Sequence, residues 1–293
     1  MHKVKPTTAK AYLSALRSIH HQSHHDTSAF DDLRIELVLR GAKRVYGEGE
    51  RRIRLPLTAN ILERIVQYVP QTIDGLNIKA ALCVAFAGFL RSGEFTWDVW
   101  DTTMSWRSQI ARKHVTFNEN GSVTLILPAS KTDPYKRGTL IPLAPAESPL
   151  CPVKALRNLI IHQPKQATEP LFCRSYGPFS RAFFVEQIKE LLLRAGISAN
   201  HFSGHSIRKG AAVSASARGI SKENIKLLGR WKSDAVDVYI NEMAEADQTT
   251  KLLNLNACLH TNTTPTSFNH FPGFSGATQP SLSARLRRPA PGT

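Results

Sequence analysis

The chain has 293 residues, 42% hydrophobic and 21% charged, which is too apolar for a disordered chain and enough for one or two packed domains. Its 38 Lys and Arg outweigh 23 Asp and Glu, and the net charge of +15 favours a polyanionic partner, because each neutralised phosphate releases condensed counterions. No run approaches about 18 apolar residues, so no membrane span is expected, and the start Met1-His2-Lys3-Val4-Lys5 lacks the apolar region of a secretory signal.

In chain order, the spacing of Tyr12, Leu13, Leu16 and Ile19 predicts a helix over residues 7–23, with Thr7 and Thr8 as candidate caps. A second helix is expected from about Ser28 through Leu33, Leu37 and Val38 to about Val45. The polar, glycine-containing stretch 47–56 reads as a linker, so residues 1–46 form a small helical module too short for a strong core. The His20-His21 and His24-His25 pairs suit an exposed polar helix end better than a metal site, although His21 and His25 stand at helical spacing.

Beyond Pro56 the text is denser. Thr58 is a candidate cap for a helix carrying Ile61, Leu62, Ile65, Val66 and Val69, and residues 77–90 are nearly all apolar, as in a buried central helix. Val123, Leu125 and Leu127 alternate. After a polar turn with Lys131-Thr132-Asp133-Pro134, the run Thr139–Leu143 returns, which predicts a β-hairpin over 121–143. Pro152 opens a helix over 152–162, and further helices are expected near 180–195, 206–218, 221–229 and 233–245. From about Asn254 the chain turns to Thr, Pro, Ser, Gly and Asn, with a basic Arg285-Leu286-Arg287-Arg288, and 254–293 is expected to be a disordered basic tail. Cys83, Cys151, Cys173 and Cys258 lie far apart, which fits reduced thiols in an intracellular protein better than a disulfide framework or a zinc site. The expected fold class is mainly α with a small antiparallel β-sheet (α+β).

Several local features carry chemistry. Gly204-His205-Ser206-Ile207-Arg208 opens a helix, so His205 and Arg208 lie one turn apart where free N–H groups favour a phosphate. Arg91 follows an apolar helix directly, and a cation so close to the core needs an anion or a carboxylate. Glu94, three residues on, is the candidate support. Lys131 sits in the hairpin turn, where an ammonium can reach a leaving oxygen. Trp231, after Leu228-Gly229-Arg230, can donate its indole N–H, and Tyr239 is the only tyrosine after Tyr176.

The ordered set Arg91, Lys131, His205, Arg208, Trp231, Tyr239 resembles the catalytic pattern of tyrosine recombinases, the phage-integrase-like family. The likeness covers residues 57–245, and residues 7–45 look like the later helices of that family's core-binding domain. The segments Phe86–Phe95, Gly204–Ala212 and Leu227–Ala235 are most similar to recombinases of eukaryotic mobile elements, especially fungal DIRS-like retrotransposons and Cryptons. Two departures stand out. Many bacterial members carry histidine where this chain has Trp231, and the step from Trp231 to Tyr239 is one residue shorter than in many phage enzymes. The resemblance implies a partial core-binding module over 1–46, a linker over 47–56 and a catalytic domain over 57–253.

It also implies a reaction. Arg91 and Arg208 would grip the non-bridging oxygens of a phosphodiester, and Tyr239 would attack phosphorus to give a 3′-phosphotyrosine and a free 5′-hydroxyl. Lys131 would protonate the departing oxygen, His205 would assist proton movement, and Trp231 would donate to a non-bridging oxygen. The covalent bond conserves the phosphodiester energy, so no cofactor, metal or ATP is called for. The implied partners are double-stranded DNA and, for strand exchange, three further copies of the chain in a tetramer. The implied setting is the nucleus of a eukaryote hosting a mobile element. Residues 1–56 carry 11 Lys and Arg against 6 Asp and Glu, which suits a DNA clamp. Competing readings are a truncated or catalytically lapsed DNA-binding protein of the same fold, and a type IB topoisomerase that relaxes torsion without site preference.

Overall fold

A computed structural model describes residues 4–47, 54–97, 109–130, 133, 135–237 and 239. Lys131, most of the expected linker, the end of the last expected helix and the tail 254–293 therefore lie outside the described residues. Among the described residues no helix is long and apolar enough to cross a membrane.

The N-terminal module consists of α1 (Pro6–Gln22) and α2 (Leu33–Tyr46), which pack against each other. Neither buries a residue, and an Arg17–Asp31 pair with N–O distances of 2.6 and 2.8 Å ties α1 to the turn before α2. Three expectations need correction here. α1 begins at Pro6 rather than after Thr7 or Thr8, because the proline ring pre-sets φ for the first turn and needs no N–H there. The second helix is broken: Ser28–Asp31 is a single 3-10 turn, and Asp32 then caps α2 by accepting from the Arg34 N–H at 2.8 Å. α1 also stops at Gln22, so His21 and His25 do not share a helix face.

The larger body starts with α3 (Ala59–Ile65), whose first N–H is satisfied by the Ser214 hydroxyl at 3.0 Å rather than by the side chain of Thr58. α4 (Ile73–Ala87) is the buried central helix; residues Ala80–Ala85 have no exposed surface, and it packs against α6 (Pro152–His162) and α8 (Ser206–Ala217). Four-residue α5 (Ser92–Phe95) follows at once. The sheet has three antiparallel strands in the order β1 (Val115–Phe117), β2 (Val123–Leu127), β3 (Thr139–Leu143). Val123 pairs with Leu143 and Leu125 with Ile141, so the buried alternation of β2 meets the core side of β3. Strand β1 was invisible in the sequence because it is three residues long and mostly exposed. Among the described residues α7 (Arg181–Arg194) and α9 (Lys222–Gly229) complete the α-helices, followed by a 3-10 turn, Asp234–Val236. The fold is mainly α with a small antiparallel sheet.

Most apolar side chains form one core, with Phe95, Phe172, Phe179 and Phe184 in mutual ring contact. A second, smaller cluster gathers Phe89, Ala211, Ala212, Ala215, Ile225 and Val236, with Trp231 and Tyr239 packed on it. The chain at 54–57 runs alongside the start of α8. Leu55 N–H donates to His201 O at 2.9 Å, Leu57 N–H to Ser206 O at 2.8 Å, and Lys209 Nζ to Arg54 O at 2.9 Å. Gly210 makes this approach possible, since a Cβ there would sit 1.9 Å from the Leu57 carbonyl oxygen.

Candidate active site

Five of the six residues singled out in the sequence converge where α4, α5, α8 and α9 meet. Lys131 lies outside the described residues, although Ala129 and Ser130 just before it line the same cleft as Arg91 and His205.

The anchor is Glu94, on α5. Its carboxylate accepts from the Arg91 backbone N–H at 2.9 Å and from Arg91 Nη1 at 2.8 Å, which fixes both ends of that residue. It also accepts from Arg230 Nη2 at 3.1 Å. One buried carboxylate thus holds two guanidiniums, and the three charges leave a net positive site. Arg230 adopts a left-handed conformation (φ 57°), as does Phe89 (φ 49°), and the two meet: Arg230 donates to the carbonyls of Gly88 at 2.9 Å and Phe89 at 3.3 Å. Non-glycine residues in that region are uncommon, and their pairing here shapes the backbone around the arginines.

Arg208, on the first turn of α8, is almost fully buried at 4% exposure. Its two terminal nitrogens donate to Phe89 O and Gly229 O, and its guanidinium lies 4.2 Å from the Trp231 ring centre. Only two of the five N–H groups of a guanidinium are engaged by those carbonyls. Burial, and then the nearby charge of Arg91, pull its pKa down to about 9, so it stays cationic at neutral pH. Burial likewise lowers the Arg230 guanidinium, against the opposing pull of Glu94. The Trp231 indole stands edge-on to Phe89 at 6.2 Å and to Tyr239 at 6.1 Å. Tyr239 is half-buried, and the Lys209 ammonium lies 6.0 Å from its ring centre.

His205 directly precedes α8 and is open to solvent. Desolvation by its surroundings, then the charges of Arg181, Arg54, Arg208 and Arg91, hold its imidazole below the usual histidine range, so it is neutral at pH 7. It shares an open cleft of about 370 Å³ with Arg91, Ser92, Glu94, Ser130 and Arg181. Glu94 is the only carboxylate among the described residues lining that cleft, beside the guanidinium-bearing Arg91 and Arg181.

Two basic residues here went unassigned in the sequence. Arg230 was in plain view between Gly229 and Trp231. Arg181 had no local signal beyond being an arginine at a helix start. Among the described residues no group of three or more His, Cys, Asp or Glu is placed to hold a metal ion.

This chain has the tyrosine-recombinase fold: a mainly helical body with a three-stranded antiparallel sheet and an arginine-rich cleft. It is similar in backbone to the Tn1549 transposon integrase solved in complex with circular intermediate DNA (TM-score 0.52, 13% identity, 84% of this chain and 79% of that one). It is similar also to the XerH site-specific recombinase bound to palindromic difH substrate (TM-score 0.50, 15% identity, 68% of this chain and 54% of that one). In sequence it matches an integrase/recombinase xerD homologue of Selenomonas ruminantium, 28% identical over 184 residues, covering 59% of this chain and 49% of the relative. The chain thus spans about half the length of the curated relative it matches. No protein-family model matches it. Likeness of sequence and of fold together support the tyrosine recombinase/integrase family.

Proposed function

We propose that this protein is a site-specific DNA recombinase that breaks and rejoins a DNA strand through Tyr239. The observation that carries the reading is one continuous set of contacts. Arg91 and Arg230 share Glu94, Arg230 and Arg208 share the Phe89 carbonyl, Arg208 lies against Trp231, and Trp231 touches Tyr239. Such a concentration of fixed positive charge beside one phenol has little use in a merely structural core, and it matches what a phosphodiester anion requires.

In this reading the phosphate enters the cleft of Arg91 and His205, and the remaining N–H groups of Arg91 and Arg208 take its non-bridging oxygens. Tyr239 Oη forms the bond to phosphorus as the 5′-oxygen leaves, and Lys131 supplies the proton to that oxygen. Neutral His205 accepts or passes the phenolic proton. Trp231 keeps Arg208 oriented and shields it from water, which strengthens its pull on the developing charge. Attack on the 3′-phosphotyrosine by the 5′-hydroxyl of another strand restores the phosphodiester and expels the phenol.

We further assign the chain to integration of a mobile element of the eukaryotic DIRS-like or Crypton type, acting in the nucleus as a tetramer on paired sites. The motif segments around Arg91, His205 and Trp231 support this. Incubation with a pool of nicked duplexes of randomised sequence tests the cleavage. A detergent-stable, protease-sensitive DNA adduct that disappears in Tyr239→Phe supports the enzyme. Tight DNA binding without any adduct indicates a lapsed DNA-binding relative, and plasmid relaxation without site preference indicates a topoisomerase.

A further inference from the structure

The cleft holds one cation that the strand-breaking scheme does not use. Arg181 opens α7, and its side chain reaches across to the glycine that begins the His205 motif. A Cβ added to Gly204 would stand 3.2 Å from Arg181 Nε and 2.7 Å from Ser92 Oγ. Gly204 therefore lets α7, α5 and the start of α8 close on one another at the mouth of the cleft that Arg181 lines with Arg91, Ser92, Ser130 and His205. Arg181 is exposed, whereas Arg208 is buried. Arg181 is the strongest charge acting on His205, followed by Arg54, while the charge acting most on Arg208 is that of Arg91. Arg91 is held by Glu94 and Arg208 by backbone carbonyls, and Arg91, His205 and Arg181 line one cleft. α7 is a 14-residue helix whose capping Ser180 hydroxyl satisfies only the Phe183 N–H, so its first turn also turns positive backbone toward the same mouth.

We propose that Arg181, with the first turn of α7, forms a second phosphate subsite that holds the phosphodiester next to the one attacked. Successive phosphates of a strand are joined through a single sugar, and Arg181 lines the same cleft as Arg91, so a strand whose scissile phosphate lies at Arg91 would bring the adjoining one toward Arg181. Gripping it there fixes the strand's direction through the cleft without reading its sequence. The inference rests on the strand-cleavage reading above, but binding alone can test it separately.

The test uses the full chain and a fluorescently labelled 30-base-pair duplex of mixed sequence, with anisotropy titrations at several KCl concentrations. Loss of one phosphate contact lowers the slope of log affinity against log salt by about 0.9. Arg181→Ala is expected to lose that amount and Arg181→Lys to keep most of the slope. Arg194→Ala, at the far end of α7 in a surface pair with Glu190, serves as the control and is expected to match wild type. An Arg181→Ala slope equal to that of the Arg194→Ala control overturns the subsite. In the adduct assay, Arg181→Ala should raise the DNA concentration for half-maximal adduct far more than it slows the saturated reaction. A defect confined to the saturated rate places Arg181 on the reacting phosphate and overturns the assignment to its neighbour. If wild type forms no adduct at all, the cleavage reading fails, while the salt slope still decides whether Arg181 holds a phosphate.

Discussion

Removing the Glu94 carboxylate tests whether the arginine cluster is organised as described. Its side chain is 6% exposed, and it faces Arg230 at 13% and Arg91 at 23%. Glu94→Ala deletes two guanidinium contacts and the hydrogen bond to the Arg91 N–H, and leaves two partly buried cations repelling each other. Breaking one partner of a fully buried ion pair costs about 3–5 kcal/mol; because Arg91 retains access to water, the lower end, about 3 kcal/mol, applies here. For a body of this size that corresponds to a fall in Tm of about 6–12 °C. The assay is thermal unfolding followed by circular dichroism at low salt. A second variant sharpens it: Glu94→Ala combined with Arg230→Met removes the stranded charge, and should recover part of the loss, giving a clear coupling energy between the two sites. A Glu94→Ala shift below about 2 °C, or a double variant that is simply additive, would refute the view that Glu94 balances the two arginines.

Gly210→Ala would push a methyl group to within 1.9 Å of the Leu57 oxygen while Leu57 is pinned to Ser206, so a loss of about 3 kcal/mol is expected and is checked by urea unfolding. Acid should weaken the fold between about pH 7 and pH 5. Burial holds buried His114 below its ordinary value, and its Nδ1 accepts from the Ala111 N–H at 2.9 Å. The unfolded chain therefore binds a proton that the native state refuses, and stability present above the unfolded pKa is lost as pH falls. Urea midpoints at pH 7.5, 6.5 and 5.5 should spread further apart in wild type than in His114→Gln; equal pH dependence in both would remove His114 from the account. Cys83 is buried with its thiol pushed up to about 12, chiefly by desolvation, so iodoacetamide at pH 8 should label it only after unfolding, as peptide mass mapping would show.

How much of this was legible beforehand follows from which signals are local. The central helix announced itself because residues 77–90 are apolar all round, and the β2–β3 pairing because Val123, Leu125 and Leu127 alternate before Thr139–Leu143. Helix starts were harder. Pro6 rather than threonine opens α1, and the hydroxyl serving the first turn of α3 comes from Ser214, 155 residues away, which no local pattern encodes. The site divides along the same line. His205 and Arg208 lie one turn apart and can be paired by eye, and so can Arg91 with Glu94. Arg230 joining Glu94 across 136 residues, and Arg181 closing on Gly204, are tertiary facts. Trp231 drew attention in the sequence as a donor to phosphate. In the structure its ring also lies 4.2 Å from the Arg208 guanidinium, edge-on to Tyr239 and packed on the smaller apolar cluster, contacts that no local pattern encodes.

The most direct measurement of the central claim is chemical mapping of the protein–DNA bond. After reaction with nicked duplex, nuclease digestion and proteolysis, mass spectrometry should find a nucleotide attached through phosphate to the peptide containing Tyr239, and the same peptide unmodified when Arg91→Ala or Arg208→Ala is used. A nucleotide linked to another residue, or a fully active protein bearing Tyr239→Phe, would contradict the account.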